Sequence, residues 1–425
     1  LKKLNEDLLR TIASIAAFMM PATALWLRSG YQYGVAIFLL AALFCLPRLV
    51  RESYSRVTIG IAASFFAMAV LWFELYAFGD GLSRVDRSAK FVVSILCLMY
   101  AVTFPPKRQA FYWGLAIGCA GAGLTGLWQV YHLELERANG YTNAIQWGNV
   151  ALLMATMLAI QLSVFWHEKN WMHRAGILFC IALGVEASIL SASRGGWIAL
   201  GAIIPLMGIF VFSYRRDLFK KFGLTIIVAA VLIAATNTHM LCDRFEKAQH
   251  EVSEYLQLSD KTRTSSSLGI RLEQYRTAVE MIKEKPFFGW GAREYLREMH
   301  QRVDDGRYAK STRQFNFIHN EFIDLWVKTG IPGMLVQAFL YLYTLWIFWP
   351  TARRMKKREA TPRLWREELA LRLCGITLPV MYFVFGQSQH FFVHNIGIIA
   401  FTFFVIILWS TLSGLKDSEE NISYG

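Results

Sequence analysis

Charge is the scarcest property of this sequence. Of its 425 residues, 18% are Asp, Glu, Lys or Arg, against 55% apolar residues. A globular chain of this length cannot bury so many long, nearly uncharged helices. A cysteine framework is also missing. The six cysteines fall mostly in or near apolar runs, and only Cys242 enters a long polar stretch, so no disulfide scaffold is expected. The roughly ten-residue alternation of a membrane β-barrel does not occur. No internal repeat suggests an inverted-repeat transporter. Leu8 to Leu27 is too long for a signal-peptide core and has no small-residue cleavage site, so no cleaved leader is expected.

What is present is a succession of apolar runs long enough to span a bilayer, and these predict an all-α polytopic membrane protein. The pattern predicts twelve transmembrane helices, near 8–27, 31–47, 57–78, 89–105, 111–130, 144–166, 173–190, 195–213, 221–237, 320–349, 368–386 and 391–413. The chain then divides into residues 1–237 with spans one to nine, a loop at 238–319, and residues 320–425 with spans ten to twelve and a tail. Span ten is long for a bilayer, so it either tilts or begins above the lipid.

Basic residues set the orientation. With the N-terminus in the cytoplasm, inner segments carry Lys2, Lys3, Arg10, Arg48, Arg51, Arg56, Lys107, Arg108, Lys169 and Arg174. Further inner clusters are Arg215, Arg216, Lys220 and Lys221, then Arg353, Arg354, Lys356, Lys357 and Arg358. The outer loops carry fewer, and this positive-inside bias absorbs most of the net charge of +13. No nucleic-acid partner is needed to explain it. An even number of spans returns the C-terminus to the cytoplasm.

The 238–319 loop then faces outward. It holds 14 basic and 12 acidic residues. MLCDRFEKAQHEVSEYLQL, 240–258, reads as a helix, and KTRTSSSLG, 261–269, as a break. IRLEQYRTAVEMIKEKPFFGWG follows at 270–291. Leu268, Leu272, Tyr275, Val279 and Ile282 share a face at helical spacing, so an amphipathic helix is expected to lie on the membrane or cap the bundle. Arg271 and Glu273 begin it and Pro286 ends it. Its first turn offers an anion both the Arg271 charge and free backbone N–H groups. The other reading of Arg271 is a pair with Glu273. The PFFGWG aromatics either line a substrate path or pack the loop onto the bundle.

Other polar groups collect at the same outer level. SASRGGW, 191–197, surrounds Arg194 with small residues, and a guanidinium suits bidentate phosphate contacts. The alternative is an interfacial anchor. GQSQHFFVHN, 386–395, brings His394 to the start of a span, where a polar residue is a functional suspect or an interhelical hydrogen-bonding group. Glu186 sits two turns before Arg194 in the outer half of its span. Glu74, Asp80, Arg84 and Arg87 add charge near the end of span three. FNFIHNEFIDLWVKTGIPG, 315–333, places His319, Asn320, Glu321 and Asp324 at the mouth of span ten. Asp304 and Asp305, adjacent and before a glycine, read as a turn more readily than as a metal site. Outside the membrane no nucleotide sugar is at hand, so a substrate used there must carry its own leaving group.

SRGGW at 193–197, the helix beginning at Arg271, PFFGWG at 286–291 and IHNEFIDLWVKTGIPG at 318–333 together resemble the bacterial O-antigen ligase family, within the ligase and polymerase superfamily of lipid-linked glycan enzymes. The resemblance implies a fold of the C class of membrane glycosyltransferases in the inner membrane of a Gram-negative cell, with a periplasmic active site. It implies inverting, metal-independent transfer of a glycan from undecaprenyl diphosphate to lipid A–core oligosaccharide, without a cofactor. It assigns donor-diphosphate contacts to Arg194 and Arg271 and the essential histidine to His319. Asn320, Glu321 and Asp324 are expected in support, the last two as holders of the imidazole, with Glu186 and His394 added on local grounds. A polymerase, with a second lipid-linked glycan as acceptor, is the nearest alternative. A transporter would need a polar path through the bilayer midplane, which the uniformly apolar spans argue against.

Overall fold

The computed structural model describes residues 2–80, 85–214, 246, 249–258, 264, 266–356 and 361–420. Among these, the regular secondary structure is helical throughout. The longer helices are α1 (Lys2–Thr23), α2 (Tyr31–Phe44), α3 (Arg56–Asp80), α4 (Asp86–Thr103), α5 (Arg108–Leu127), α6 (Ala144–Val164) and α7 (Trp171–Leu190). They continue with α8 (Arg194–Tyr214), α9 (Ser267–Glu284), α10 (Ala292–Asp304), α11 (Glu321–Phe348), α12 (Pro362–Gly386) and α13 (Asn395–Glu420). Seven of them, α3, α5, α6, α7, α11, α12 and α13, are long and apolar enough to cross a membrane. The protein is an all-α, multi-pass membrane protein. The ninth expected span, 221–237, lies outside the described residues.

Burial sorts these helices by position. In α13 the window Asn395–Leu415 has a mean hydropathy of 2.2 and is 94% buried. A helix that is apolar all round needs cover all round, and α13 finds it against α4, α6 and α12. The outer helices are one-sided. On α3, Ile59, Phe66, Val70 and Phe73 are exposed; on α11, Leu335, Phe339, Leu342 and Trp346 are. Each set keeps to helical steps of three, four or seven residues, giving an apolar stripe of the kind that faces lipid.

The long tenth span is broken, and its sequence says why. Within α11, Gly330 has φ 63° and ψ −150°, a conformation essentially reserved for glycine. Pro332 follows in the first turn of the resumed helix, where a missing N–H costs nothing. The second part, 331–348, is about 27 Å long at 1.5 Å per residue, close to the ~30 Å hydrocarbon thickness. PFFGWG docks into the break. Trp290 N–H donates to the Val327 carbonyl at 2.9 Å, Gly291 N–H to Lys328 at 2.7 Å, and Ile331 N–H to Phe287 at 2.9 Å. Gly289, with φ 66°, lies against the Lys328 backbone so closely that a Cβ would sit 2.5 Å from its carbonyl carbon. Of the two readings of these aromatics, packing onto the bundle holds for Trp290, while Phe287 and Phe288 stay exposed.

The loop helices α9 and α10 build a small core of their own. Ala278 and Met281 meet Tyr295, Met299 and Val303, and Ile318 and Val327 tie this core to the start of α11. Buried Arg302 of α10 closes it, donating to both Glu284 carboxylate oxygens of α9 at 2.6 and 2.9 Å. Two expectations change here. α9 starts at Ser267, a turn before Arg271, because Ser266 caps it and accepts the Gly269 N–H at 3.2 Å. Arg271 therefore lies beyond the first turn, away from the free N–H groups. The buried face is also rotated. Glu273, Gln274, Thr277, Ala278 and Met281 are buried, while Val279 of the expected apolar stripe is exposed. Polar Glu273 and Gln274 are tolerated there because each has partners, Arg276 for one and His319 for the other.

Candidate functional site

His319 stands in the short segment between the loop core and α11. Asn320, the next residue, caps α11 and accepts the N–H groups of Phe322 and Ile323 at 3.0 and 3.1 Å. The cap fixes the chain direction one residue after the imidazole. The Asn320 amide nitrogen donates to Gln387 on the turn between α12 and α13. The Tyr275 hydroxyl of α9 lies 3.0 Å from both the His319 and Gln387 carbonyl oxygens. The His319 backbone is thus held by two helices and the 386–390 turn.

The imidazole is held by Gln274, a residue that sequence reasoning missed. Gln274 Oε1 lies 2.9 Å from His319 Nδ1 and accepts the His319 backbone N–H at 3.3 Å. The backbone N–H can only donate, so the amide atom facing it is the oxygen. That oxygen has no proton to give, so Nδ1 carries the hydrogen and Nε2 is the free base nitrogen. Phe315 and Phe317 flank the ring, with centroids at 4.7 and 5.4 Å. Burial lowers the His319 pKa, the Arg271 charge lowers it further, and Asp324 opposes weakly, leaving it at about 4. The imidazole is neutral at neutral pH. Helical spacing could have found Gln274, which follows Arg271 by three positions and shares its side of α9.

The close contacts of Glu321 and Asp324 go to another histidine, His390, and Asp324 reaches His319 only as a weak opposing charge. Asp324 Oδ2 lies 3.4 Å from His390 Nε2, and Glu321 Oε2 lies 3.5 Å from His390 Nδ1. Asp324 also accepts the Ile318 N–H at 2.8 Å and pairs with Lys328 at 2.7 Å. Glu321 accepts the Tyr341 hydroxyl at 2.8 Å and the Phe391 N–H at 2.8 Å. All of these groups are buried. Burial alone would lower the His390 pKa, but the two carboxylates outweigh it and the pKa is raised. His390 is an electrostatic tie between the start of α11 and the turn before α13.

His394 is half-buried, 3.3 Å from the Gln389 amide nitrogen, and the Phe317 ring packs near both it and His319, with centroids at 6.1 and 5.4 Å. Burial, then the charges of His390, Arg87 and His319, lower its pKa to about 4. Glu186 is half-buried on α7. Arg194 is the first residue of α8; its side chain lies outside the described residues. Its neighbour Gly195 packs so tightly on Ser388 that a Cβ would sit 2.2 Å from the hydroxyl. The turn carrying Ser388 also carries Gln387, the partner of Tyr275 and Asn320, so the α8 terminus belongs to the same rim as His319. The side chains of Glu74 and Asp80, and all of Arg84, lie outside the described residues.

No group of three or more His, Cys, Asp or Glu among the described residues is arranged to hold a metal ion. Asp304 pairs with Arg313, and Asp305 with Arg307 at 3.2 Å. The site's chemistry is that of an imidazole kept neutral by burial and by the Arg271 charge.

A family model described as O-antigen ligase matches residues 177–338. The match runs from α7 to α11 and includes Arg194, Arg271, Gln274 and His319. The chain is also 26% identical over 381 residues to an uncharacterised protein of Haemophilus influenzae, covering 88% of this chain and 92% of that one.

Proposed function

Because the chain belongs to the O-antigen ligase family, we propose that it is an inverting glycosyltransferase. It takes a glycan from undecaprenyl diphosphate and joins it to a sugar hydroxyl of lipid A–core oligosaccharide. We further propose twelve spans in the inner membrane in a C-class glycosyltransferase arrangement, with both termini cytoplasmic and the site on the periplasmic side. The observation that carries the reading is His319, with Nδ1 held by Gln274, Nε2 unprotonated and Arg271 close enough to lower its pKa.

In this mechanism the acceptor hydroxyl gives its proton to His319 Nε2 as its oxygen attacks the anomeric carbon. The bond from that carbon to the phosphate oxygen breaks, and undecaprenyl diphosphate leaves. Attack from the opposite face inverts the anomeric centre. Negative charge grows on the departing oxygen, where Arg194 and Arg271 stabilise it more than they stabilise the bound donor. A diphosphate beside Arg271 also offsets the charge that depresses the His319 pKa, so donor binding makes the imidazole a stronger base. General-base assistance of this kind contributes roughly 10²–10⁴ in rate. The arginines supply the charge stabilisation, so the reaction is expected to proceed with EDTA present.

The test is acceptor dependence. Purified protein in nanodiscs receives a labelled undecaprenyl diphosphate glycan, with and without lipid A–core, in EDTA. Label moving to lipid A–core, and only when it is present, is the expected result. Longer glycans growing on the polyprenyl carrier without lipid A–core would replace this reading with a polymerase.

A further inference from the structure

Two cavities meet at the end of the bundle away from His319. The turn beside His319 follows the end of α12, whereas the first cavity lies at the start of α12 and near the end of α13. At 1.5 Å per residue, α12 puts roughly 37 Å between these ends. This is the end that the basic residues are expected to place in the cytoplasm.

The first cavity, of about 340 Å³, is basic. Arg10, Lys107, Arg108 and Arg363 line it with one carboxylate, Glu367, which pairs with Arg363 at 3.4 Å. Arg10 and Lys107 are exposed and form no ion pair among the described residues. Arg108 is fixed in place. Its Nη1 donates to Gln161 Oε1 at 3.1 Å and its guanidinium lies 4.0 Å from the Phe165 ring centroid, while its buried Nε has no hydrogen-bond partner among the described residues. The Lys107 N–H donates to Ser14 Oγ at 3.0 Å and pins this turn to α1. α5 then begins without a side-chain cap, so its positive end adds to the side-chain charge. Lys416 and Asp417 follow the wall residue Leu415 and carry opposite charges; their side chains lie outside the described residues.

The second cavity, of about 480 Å³, shares Lys107 and Gln109 with the first and is otherwise nearly all apolar. It is a groove between α1 and α5, which run side by side in one direction. A Cβ on Gly114 or Gly118 would sit 2.5 or 2.2 Å from the Phe18 or Pro21 carbonyl oxygen. Thr11, Ile15 and Phe18 form one wall, and Ala110, Trp113 and Ile117 the other. Each wall follows its helix for roughly 10 Å. Ile15, Trp113 and Ile117 are exposed, so the chain leaves the groove open. A basic pocket at the ends of the spans, continued by an apolar groove along them, has the two-part chemistry of a phospholipid. A soluble phosphate would not use the groove, and a bare hydrocarbon would not use the cations.

We infer that the two cavities form one binding site for an anionic glycerophospholipid of the adjoining leaflet. Its phosphate sits at Arg10 and Lys107, and an acyl chain lies along α1 and α5. Basic pockets between spans on the cytoplasmic side suit anionic headgroups. The site is independent of the transferase reading, since neither His319 nor Arg271 lines either cavity.

The test measures lipid binding by the full chain in a neutral detergent, by native mass spectrometry. The probes are dioleoyl phosphatidylglycerol, dioleoyl phosphatidylcholine and glycerol 1-phosphate. Wild type is expected to bind phosphatidylglycerol about tenfold more tightly than phosphatidylcholine. Arg10→Gln combined with Lys107→Gln, both exposed positions, is expected to erase that preference. Ala110→Trp fills the groove, leaves every charge in place, and is expected to weaken phosphatidylglycerol binding by a similar factor. Arg51→Gln, at an exposed position outside both walls, should bind as wild type does. Equal binding of the two lipids by wild type would overturn the inference, as would a preference that survives both sets of changes. Glycerol 1-phosphate binding as tightly as the lipid would overturn it in favour of a soluble phosphate. Displacement of phosphatidylglycerol by equimolar undecaprenyl phosphate would overturn it by giving the site to the polyprenyl carrier.

Discussion

Two histidines at the same rim have been given opposite characters by their surroundings. His319 and His390 both sit beside Phe317, with ring centroids at 5.4 and 6.5 Å. His319 is half-buried, faces an amide oxygen and feels a guanidinium, and its pKa falls to about 4. His390 is buried between two carboxylates, and its pKa rises. The difference lies in their partners. A neutral acceptor fixes a tautomer and leaves the imidazole able to take a proton. Paired carboxylates favour the protonated imidazole and so tie the start of α11 to the turn before α13. One histidine is equipped for proton transfer and the other for structure.

The largest effect should come from breaking the first of these. His319→Ala should lower the transfer rate by roughly 10²–10⁴ while leaving the melting temperature in detergent near wild type. The converse change is Asp324→Ala, which strips Lys328 and His390 of a buried partner. Removing one member of such a buried pair costs roughly 3–5 kcal/mol, so thermal melting should move sharply downward. Equal loss of stability in both variants would erase the distinction between the two histidines. Gln274→Ala should keep the fold but release the Nδ1–H tautomer. A loss of about tenfold in kcat, or ~1.4 kcal/mol, is expected, with little change in donor KM. Unchanged kcat would remove Gln274 from the mechanism.

The smallest effect is a shift in pH profile. A base acts when deprotonated, so activity is lost as pH falls through its pKa. With the free-enzyme pKa at about 4, kcat/KM should hold well below pH 6.5 before declining. Arg271→Gln removes a positive charge, raises the His319 pKa and should move the acid limb upward by roughly one pH unit, whatever it does to the absolute rate. A limb that stays in place would mean that Arg271 does not act on the imidazole.

Much of the fold was legible because apolar run length is a strong signal. Helices occupy the expected places of spans one to eight and ten to twelve, and Gly330 and Pro332 mark the break in the long span. The site was legible in part. His319 and Arg271 lie close enough for the guanidinium to affect the imidazole. The partners were harder. Nothing local links Glu321 to His390, 69 positions away along the chain. The start of α9 was misplaced because Ser266 is one of three consecutive serines, any of which could cap. The buried face of α9 mixes Glu273, Gln274 and Thr277 with Ala278 and Met281, so apolar periodicity found only its edge, at Tyr275 and Ile282.

The most direct measurement is single-turnover glycan transfer from undecaprenyl diphosphate to lipid A–core by wild type and by His319→Ala, each with saturating donor. The account predicts a fall of at least a hundredfold in the variant with donor binding retained. Transfer at the wild-type rate without the imidazole would contradict its central claim.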